Sequence, residues 1–421
     1  MPLDPRRTLA DLRELASLTS DQRGAQRVAW TPAWEAARHW LRGKLSELPV
    51  AVEQDEAGNL WTTLAGASPK AVVIGGHVDS VPDGGWLDGV LDTLAGLECL
   101  RRLAAEATPP PLTVRLVDWA DEEGAQFGRS LLGSSAASGT LDVDAARTLC
   151  SRDGEPIDEV LRRYGVELER MTASHRQLEN AIAYLELHIE QGPVLEELGL
   201  PLGVVVGTSG VERHAVRFTG QAAHAGSTPM DQRRDAFAAA ARLALEVRDH
   251  AREGGGVATV GRVEVRPGIP TAVAGDCEVS LDQRHLDSAS LAAMLARARQ
   301  ASQRVATEER VGVAWRPIWR IDPIPFDPGL IELAERSVVE VAGRCHRLAS
   351  GPLHDAAETA RAGVPSVMLF VQSLRGLSHC KEEDSREEHL ALSVRALDRL
   401  LALTLEGASS VPASEILPDL P

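Results

Sequence analysis

Short apolar runs alternate with helical patterns along the first half of this chain, and this alternation limits the folds open to it. The run AVVIGGHVD covers residues 71–79, apolar residues at helical spacing follow over 90–100, and a second run, TVRLVDWA, begins at residue 113. Strands that alternate with helices are typical of a sheet that is at least partly parallel, with the helices as crossover connections. The sequence therefore predicts an α/β fold.

The order of the elements changes after about residue 210. The pattern becomes strand, helix, strand, strand, helix, strand, which is the βαββαβ order of ferredoxin-like domains. The proline-rich stretch PIPFDPG at 323–329 is interpreted as a linker, followed by a helix, the strand SVMLFV and a long helix. Because domains usually run to about 100–200 residues, a chain of 421 residues is expected to form two. We predict a main domain of residues 1–210 and 327–421, with 211–326 inserted as the second domain.

Charge and composition exclude several kinds of partner. The formal charge is -17, from 61 acidic and 44 basic residues, so phosphate groups of nucleic acid or an anionic membrane would repel the chain. No apolar run approaches the roughly 20 residues that span a bilayer, and the charged start argues against a secretory signal, so we expect a cytoplasmic protein. The five cysteines contain no CxxC pair, which argues against a disulfide framework or a thiolate zinc site.

The first chemically informative segment is GGHVDSVPDGGWLDG. It places His77 and Asp79 at the end of a predicted strand and Asp88 after a glycine-rich turn. Ligands of open α/β sheets collect at the carboxyl ends of strands, and a carboxylate two residues from an imidazole can orient it as a metal ligand. Taken alone, the pair is weak evidence for a metal site, because an ordinary hydrogen bond at a strand end is the commoner explanation.

Acidic and histidine clusters follow three further predicted strands. Asp121, Glu122 and Glu123 come after the second run, and such adjacent carboxylates need either bulk water or a cation. His188 lies in LELHIEQG, and His379 in GLSHCKEED follows the strand SVMLFV. Each cluster alone also suits a solvated loop or a core histidine.

The shared position of these four clusters is what favours a metal site. If the strands belong to one sheet, their carboxyl ends bring all four clusters to one edge. Two metals about 3.5–4 Å apart, bridged by a carboxylate, would use such a ligand set, and a free carboxylate nearby would act as general base.

At this point the motifs resemble those of the M20 metallopeptidase clan. Within the clan they are similar to the hydantoinase/carbamoylase amidohydrolases, which include N-carbamoyl-L-amino acid hydrolases, β-ureidopropionases and allantoate amidohydrolases. The resemblance covers nearly the whole chain and rests on GGHVDSVPDGGWLDG, DEEGAQFGRSLLGS, LELHIEQGPVLE, GQAAHAGSTPMDQRRDA, DQRH, SGPLHDAAETA and GLSHCKEE. It implies a Zn-peptidase-like catalytic domain with a mixed sheet flanked by helices, and an inserted ferredoxin-like domain that serves as lid and dimerisation domain.

The resemblance also implies a ligand set. Asp88 would bridge two divalent metal ions, with His77 and His188 on one ion and Glu123 and His379 on the other. Ligands of this kind accept zinc, manganese, cobalt or nickel, so the sequence leaves the native metal open.

Catalytic roles are implied for three further residues. Glu122 would be the general base that activates water and later protonates the leaving nitrogen, and Asp79 would support the histidine beside it. His354 in SGPLHDA matches the histidine that stabilises the oxyanion, where a preorganised donor is needed.

Substrate contacts are implied for Gln191, His224, Thr271 and Arg284. Arg284 matches the clamp for the substrate carboxylate, a task that suits a guanidinium fork. His224 matches a histidine that reaches the active site, in some members from the partner subunit. The chain departs from the family where Thr271 replaces an asparagine that helps to bind the substrate carboxylate, and where Lys381 replaces a proline.

The predicted activity is hydrolysis of the C–N bond of an N-carbamoyl-L-amino acid, a small ureido acid, to the free amino acid, CO2 and ammonia. The alternatives are an allantoate or ureidoglycolate amidohydrolase, an N-acyl amino acid deacylase or dipeptidase of the same clan, and a non-enzymatic binding protein on the same fold. The intact Glu122 and ligand set argue against the last. A homodimer through the inserted domain is expected from the resemblance.

Overall fold

The computed structural model of the chain describes residues 2–409. Residues 410–421, which the sequence analysis assigns to the end of the main domain, lie outside the described residues. The strands are β1 (Ser20–Asp21), β2 (Gly24–Ala25), β3 (Ala51–Gln54), β4 (Leu60–Leu64), β5 (Ala71–His77), β6 (Thr113–Trp119), β7 (Ala181–Ile189), β8 (Leu202–Thr208), β9 (Gly210–Thr219), β10 (Ala223–His224), β11 (Val257–Arg266), β12 (Ala272–Val273), β13 (Asp276–His285), β14 (Gly312–Ile321), β15 (Ile324–Pro325), β16 (Arg347–Ser350) and β17 (Ser366–Val371).

The helices begin at residues that favour helix starts. Asp4, Thr31 and Asp327 cap three helices whose first turn contains proline, and each cap side chain accepts a backbone N–H of that turn. The α-helices are α1 (Pro5–Thr19), α2 (Pro32–Leu45), α3 (Val90–Ala104), α4 (Leu132–Ala137), α5 (Val143–Ala146), α6 (Ile157–Arg163), α7 (Val194–Leu198), α8 (Ala236–Gly254), α9 (Ser288–Glu308), α10 (Pro328–Ala342), α11 (Asp355–Arg361) and α12 (Glu387–Ser409). A 3₁₀ helix covers Leu168–Leu178, and two shorter ones cover Met230–Gln232 and Leu374–Gly376.

The described chain divides into two compact units. One contains the residues up to Val206 together with those from Phe326 onward, and the other is Gly207–Pro325. The first is called the main unit below and the second the inserted unit.

A mixed sheet of nine strands forms the centre of the fold, in the order β15-β8-β17-β7-β5-β6-β4-β3, with β16 beside β8. The four central strands β17, β7, β5 and β6 are parallel to one another, whereas β8 and β4 flank them in the antiparallel direction. Every residue of β5 and β17 is buried. Such burial explains why these strands appear in the sequence as continuous apolar runs. The mixed α/β sheet flanked by helices confirms the predicted fold class.

The inserted unit has its own antiparallel sheet, in the order β11-β13-β9-β14. Helices α8 and α9 pack on it, and their shared core includes Val216, Phe218, Leu243, Leu281 and Val305. The chain order strand, helix, strand, strand, helix, strand and this sheet order together are those of a ferredoxin-like unit.

The stretch 323–329, interpreted as a linker, contains regular structure. Strand β15 lies within it and pairs with the end of β8, so that Ile324 lies opposite Thr208 and Pro325 opposite Gly207. Helix α10 begins immediately afterwards, at Pro328. Strand β16 and helix α11, between α10 and β17, were not predicted, because both are short.

Among residues 2–409, no helix combines the length and the apolar character that crossing a membrane requires.

Candidate metal centre

The parallel strands bring the predicted clusters to one edge of the sheet. His77 is the last residue of β5, Asp121 and its two neighbours follow β6, and His188 lies one residue before the end of β7. His379 follows β17, and Asp88 lies just before α3. Because β6, β5, β7 and β17 are parallel neighbours, their carboxyl ends meet here.

The first group of possible metal ligands is His77, Asp88 and His188, all buried. The Nε2 atom of His188 lies 3.0 Å from Oδ1 of Asp88, and the Nε2 atom of His77 lies 3.7 Å from the same oxygen. The two histidine nitrogens thus converge on one carboxylate oxygen.

The second group shares the same aspartate and consists of Asp88, Glu123 and His379. The Nε2 atom of His379 lies 3.4 Å from Oδ2 of Asp88 and 3.4 Å from Oε2 of Glu123. Asp88 therefore presents one oxygen to each group, which is the arrangement of a bridging carboxylate.

The donor atoms fit divalent metals. The Nε2 atom of His77 is buried and has no hydrogen-bond partner in the described chain, although its Nδ1 atom lies 3.2 Å from the carbonyl oxygen of Asp79. The Nδ1 atom of His188 lies 2.9 Å from the carbonyl oxygen of Ile189. Contacts of this kind select the tautomer that leaves Nε2 free to bind a metal. Imidazole and carboxylate donors suit zinc and related ions.

Asp79 holds two parts of the site together. One of its oxygens lies 3.5 Å from Nδ1 of His77, and its carboxylate accepts the backbone N–H groups of Glu122 and Glu123 at 3.3 and 3.2 Å. The residue thus links the end of β5 to the acidic turn after β6.

Glu122 lies beside the first ligand group, with Oε2 3.7 Å from Nε2 of His77. Burial raises the pKa of Glu122 well above its usual range, with a smaller opposing effect of His77 and further upward effects of Asp355 and Glu123. A carboxyl group whose pKa is raised in this way is a stronger base than an exposed glutamate, as a general base requires.

His354 lies against the histidine of β7, with the two ring centroids 4.3 Å apart. Burial, and then the neighbouring His188, lower the pKa of His354 well below its usual value, so the ring is neutral. Its Nε2 atom is buried without a partner in the described chain. A neutral imidazole with one uncommitted nitrogen can donate a hydrogen bond to a developing oxyanion.

Gln191 also contacts the ligand groups. Its amide nitrogen lies 2.9 Å from Oδ2 of Asp88 and 3.3 Å from Nε2 of His379. Asp121, Gln191 and His379 all have left-handed backbone conformations, with φ of 58°, 55° and 56°. Non-glycine residues rarely adopt them, and they concentrate at functional sites.

Two residues that the sequence analysis did not select support the bridging aspartate. The hydroxyl oxygen of Ser378 lies 3.0 Å from Oδ2 of Asp88 and 2.9 Å from Oε2 of Glu383, so the hydroxyl can donate to either carboxylate. Glu383 accepts the backbone N–H groups of Leu87 and Asp88, and burial together with the nearby Asp88 raises its pKa to about 7. Ser378 directly precedes His379 in SHCKEED, and Glu383 follows it by four residues. This closeness in sequence to a predicted metal ligand could have indicated a role for both residues.

A buried acidic cluster lies behind the histidines and was also missed. Burial raises the pKa of Asp92, Glu186 and Asp355, and Glu186 raises the values of the other two further. Glu186 accepts hydrogen bonds from the hydroxyl of Tyr184 and from the backbone of Ala356, both at 2.8 Å. Glu186 precedes His188 by two residues, and only the fold places Asp92 and Asp355 near it.

The remaining predicted substrate residues belong to the inserted unit. His224 on β10 lies opposite Ala272, and the backbone N–H of Ala225 donates to the carbonyl oxygen of Thr271 at 2.8 Å, so His224 and Thr271 are neighbours. Arg284 on β13 donates to Asp282 at 2.9 Å. In the main unit, Lys381 is exposed, and its ammonium group lies 4.0 Å from Glu382.

Two ligand groups that share one carboxylate are the arrangement that dinuclear metal-dependent hydrolases use. Residues 73–403 match the profile of peptidase family M20/M25/M40. An N-carbamoyl-L-amino acid amidohydrolase of Geobacillus stearothermophilus is 34% identical over 379 residues, which are 89% of this chain and 92% of the relative. The chain belongs to peptidase family M20/M25/M40, and it is a metal-dependent amidohydrolase.

Other relatives are similarly close. The allantoate amidohydrolase of Escherichia coli is 32% identical over 396 residues, 92% of this chain and 95% of the relative. The crystal structure of an amidase of the hydantoinase/carbamoylase family from Burkholderia multivorans superposes with a TM-score of 0.86 at 32% identity, covering 95% of this chain and 98% of that chain.

Proposed function

We propose that this protein hydrolyses N-carbamoyl-L-amino acids with two divalent metal ions. The observation that carries the proposal is the pair of ligand groups that share Asp88. The similarity to the N-carbamoyl-L-amino acid amidohydrolase of Geobacillus stearothermophilus supports the substrate class.

His77 and His188 would hold one ion, Glu123 and His379 the other, and Asp88 both. Such a pair, when bound, polarises the carbonyl group of the substrate and lowers the pKa of water. Because Asp79 fixes both His77 and the turn that carries Glu123, it would keep the two halves of the ligand set in register.

Glu122 would move the protons. It removes one proton from the attacking water and transfers it to the amino nitrogen as the C–N bond breaks, so that the amino acid leaves as the free amine. The carbamic acid that remains decomposes to CO2 and ammonia, which balances the consumption of one water. The uncommitted nitrogen of His354 would donate to the carbonyl oxygen as its negative charge develops.

Gln191, His224, Thr271 and Arg284 are proposed as substrate contacts, with Arg284 binding the carboxylate. For the three residues of the inserted unit, the assignment rests on the resemblance to carbamoylases. The same resemblance supports a homodimer through this unit. A monomer with full activity in light scattering would contradict the dimer.

The decisive experiment measures ammonia release from a panel of N-carbamoyl-L-amino acids. The protein is stripped with a chelator and reloaded with Mn, Zn, Co or Ni, and Glu122→Gln serves as the control that keeps the metal ligands. We expect metal-dependent release that falls at least about 100-fold in the variant. Absence of release by the reloaded protein would refute the proposed substrate class.

The alternative substrate is allantoate or ureidoglycolate. It is favoured by the 32% identity to the allantoate amidohydrolase of Escherichia coli and the 30% identity to a ureidoglycolate hydrolase of Arabidopsis thaliana. Adding both compounds to the panel distinguishes the alternatives by kcat/KM. Dipeptides and N-acyl amino acids in the same panel test the hypothesis of a deacylase or dipeptidase.

A further inference from the structure

A cavity of about 360 Å³ opens on the main unit between helix α2 and the end of helix α6. This volume lies within the range of small-molecule sites, about 300–1,000 Å³. Two aromatic and four basic side chains form most of its wall: Trp34, Arg38, His39, Arg42, Arg163 and Tyr164. None of them belongs to the metal centre.

The wall carries three guanidinium groups and one carboxylate, that of Glu35, in a chain of formal charge -17. Whether one of these cations is available to an anion depends on the ion pairs that it already forms.

Arg42 is the guanidinium group best placed to receive an anion. Arg38 is paired with Asp118 at 2.6 Å, and Arg163 with Glu155 at 2.8 Å. Within residues 2–409, Arg42 has neither a side-chain hydrogen bond nor an ion pair. Burial and the like charge of Arg38 both lower its pKa, so in the free protein this cation lies in unfavourable surroundings.

We propose that this cavity binds a small oxyanion, a carboxylate or phosphate group, with Arg42 as its main charged contact. The planar guanidinium fork matches either group with two parallel hydrogen bonds. The partly buried ring of Tyr164 provides apolar surface for the remainder of the ligand.

The cavity wall is connected to the metal centre by direct hydrogen bonds. Arg38 donates to Oδ2 of Asp118, and the other oxygen of Asp118 accepts the backbone N–H of Val78 at 2.9 Å. Val78 lies between His77 and Asp79. An anion held by Arg42 would compete with Asp118 for Arg38 and loosen the strand end that carries the first ligand group, which would give the cavity an effector role.

Titration calorimetry with inorganic phosphate on the metal-loaded protein tests the site. Arg42→Gln removes the proposed contact, and Arg6→Gln is the matched control, because Arg6 is exposed on α1, outside the cavity. We expect Kd for phosphate to rise by about tenfold or more in Arg42→Gln and to stay unchanged in the control. Arg42→Gln also relieves repulsion from Arg38, so its Tm is expected to equal or exceed that of the wild type.

Equal phosphate affinity in Arg42→Gln and wild type would refute the proposed anion site. Binding of phosphate at the metal ions alone would give this same equality. Hydrogen exchange of peptides covering residues 76–80 tests the connection. Phosphate is expected to speed exchange at Val78 by at least about twofold in the wild type and not in Arg42→Gln. The same response in both proteins would overturn the effector role.

Discussion

Substitution of Gly89 by alanine is expected to displace one metal ligand, His77, although no ligand residue is itself substituted. Gly89 follows the bridging aspartate and has φ 66° and ψ -41°. A Cβ atom at this position would lie 2.3 Å from Nδ1 and Cε1 of His77 and 2.4 Å from its Nε2. Ordinary contact begins at 3.4 Å, so the ring must move by 3.4 minus 2.3, or 1.1 Å. Metal–nitrogen bonds tolerate only about 0.2 Å, so His77 no longer coordinates.

We expect Gly89→Ala to weaken the metal site formed with His188 by at least about 100-fold, since changes to supporting residues alone cost about 10–100-fold. The matched control is Gly343→Ala, because Gly343 has φ 80° and ψ -27° with no neighbour within 4 Å. The left-handed backbone costs both variants about 1–2 kcal/mol. Metal affinity is measured by chelator competition and stability by thermal unfolding. Unchanged affinity in Gly89→Ala would refute the geometric reasoning, and an equal loss in the control would assign the effect to backbone strain.

Three further predictions concern stability and the supporting contacts. Chelator treatment leaves the buried carboxylates without a compensating cation, so we expect the Tm of the protein to fall. Added Mn or Zn is expected to restore the Tm, and an unchanged Tm after chelation would contradict this. Ser378→Ala removes a hydrogen bond to Asp88 and is expected to reduce metal affinity about tenfold in chelator competition, whereas wild-type affinity would argue against a supporting role. Burial raises the pKa of Asp282, but the hydrogen bonds and the positive charges of Arg284 and Arg213 together lower it below the ordinary value of 3.8. This carboxylate therefore stabilises the fold above pH 3.8, and the contribution is lost as pH falls through the folded pKa. Asp282→Asn is therefore expected to show a weaker decline in urea-unfolding stability below that pH, and an identical acid decline would count against it.

The parts of the structure that follow from local pattern could be predicted from the sequence. β5 and β17 are continuous apolar runs because both faces of these strands are covered, and the acidic and histidine clusters stand directly at or beyond the strand ends. Parallel neighbours place such ends together, so the pattern alone indicates that His77 and His188 lie near each other.

Contacts between distant segments could not be predicted in this way. Glu383 accepts the backbone N–H of Asp88 across 295 positions of the chain, and nothing in the composition of either segment indicates that pairing. Asp92 lies in helix α3, whose sequence shows apolar residues at helical spacing. In the structure its carboxyl group is fully buried close to Glu186. The approach of Gly89 to the His77 ring is likewise a property of the packed structure and not of the glycine-rich turn.

The short pairing of β8 with β15 has a consequence for how this protein could be altered. The chain enters the inserted unit at Gly207 and Thr208 and leaves it through Pro325 and Ile324, which lie opposite these residues on adjacent strands. A segment inserted between two such points has its two ends close together. The conformational entropy lost in closing it therefore rises only slowly with the length of the segment. The segment 209–323 is thus inserted as a large hairpin would be, and a unit of different size could replace it while the pairing of β8 with β15 remains intact.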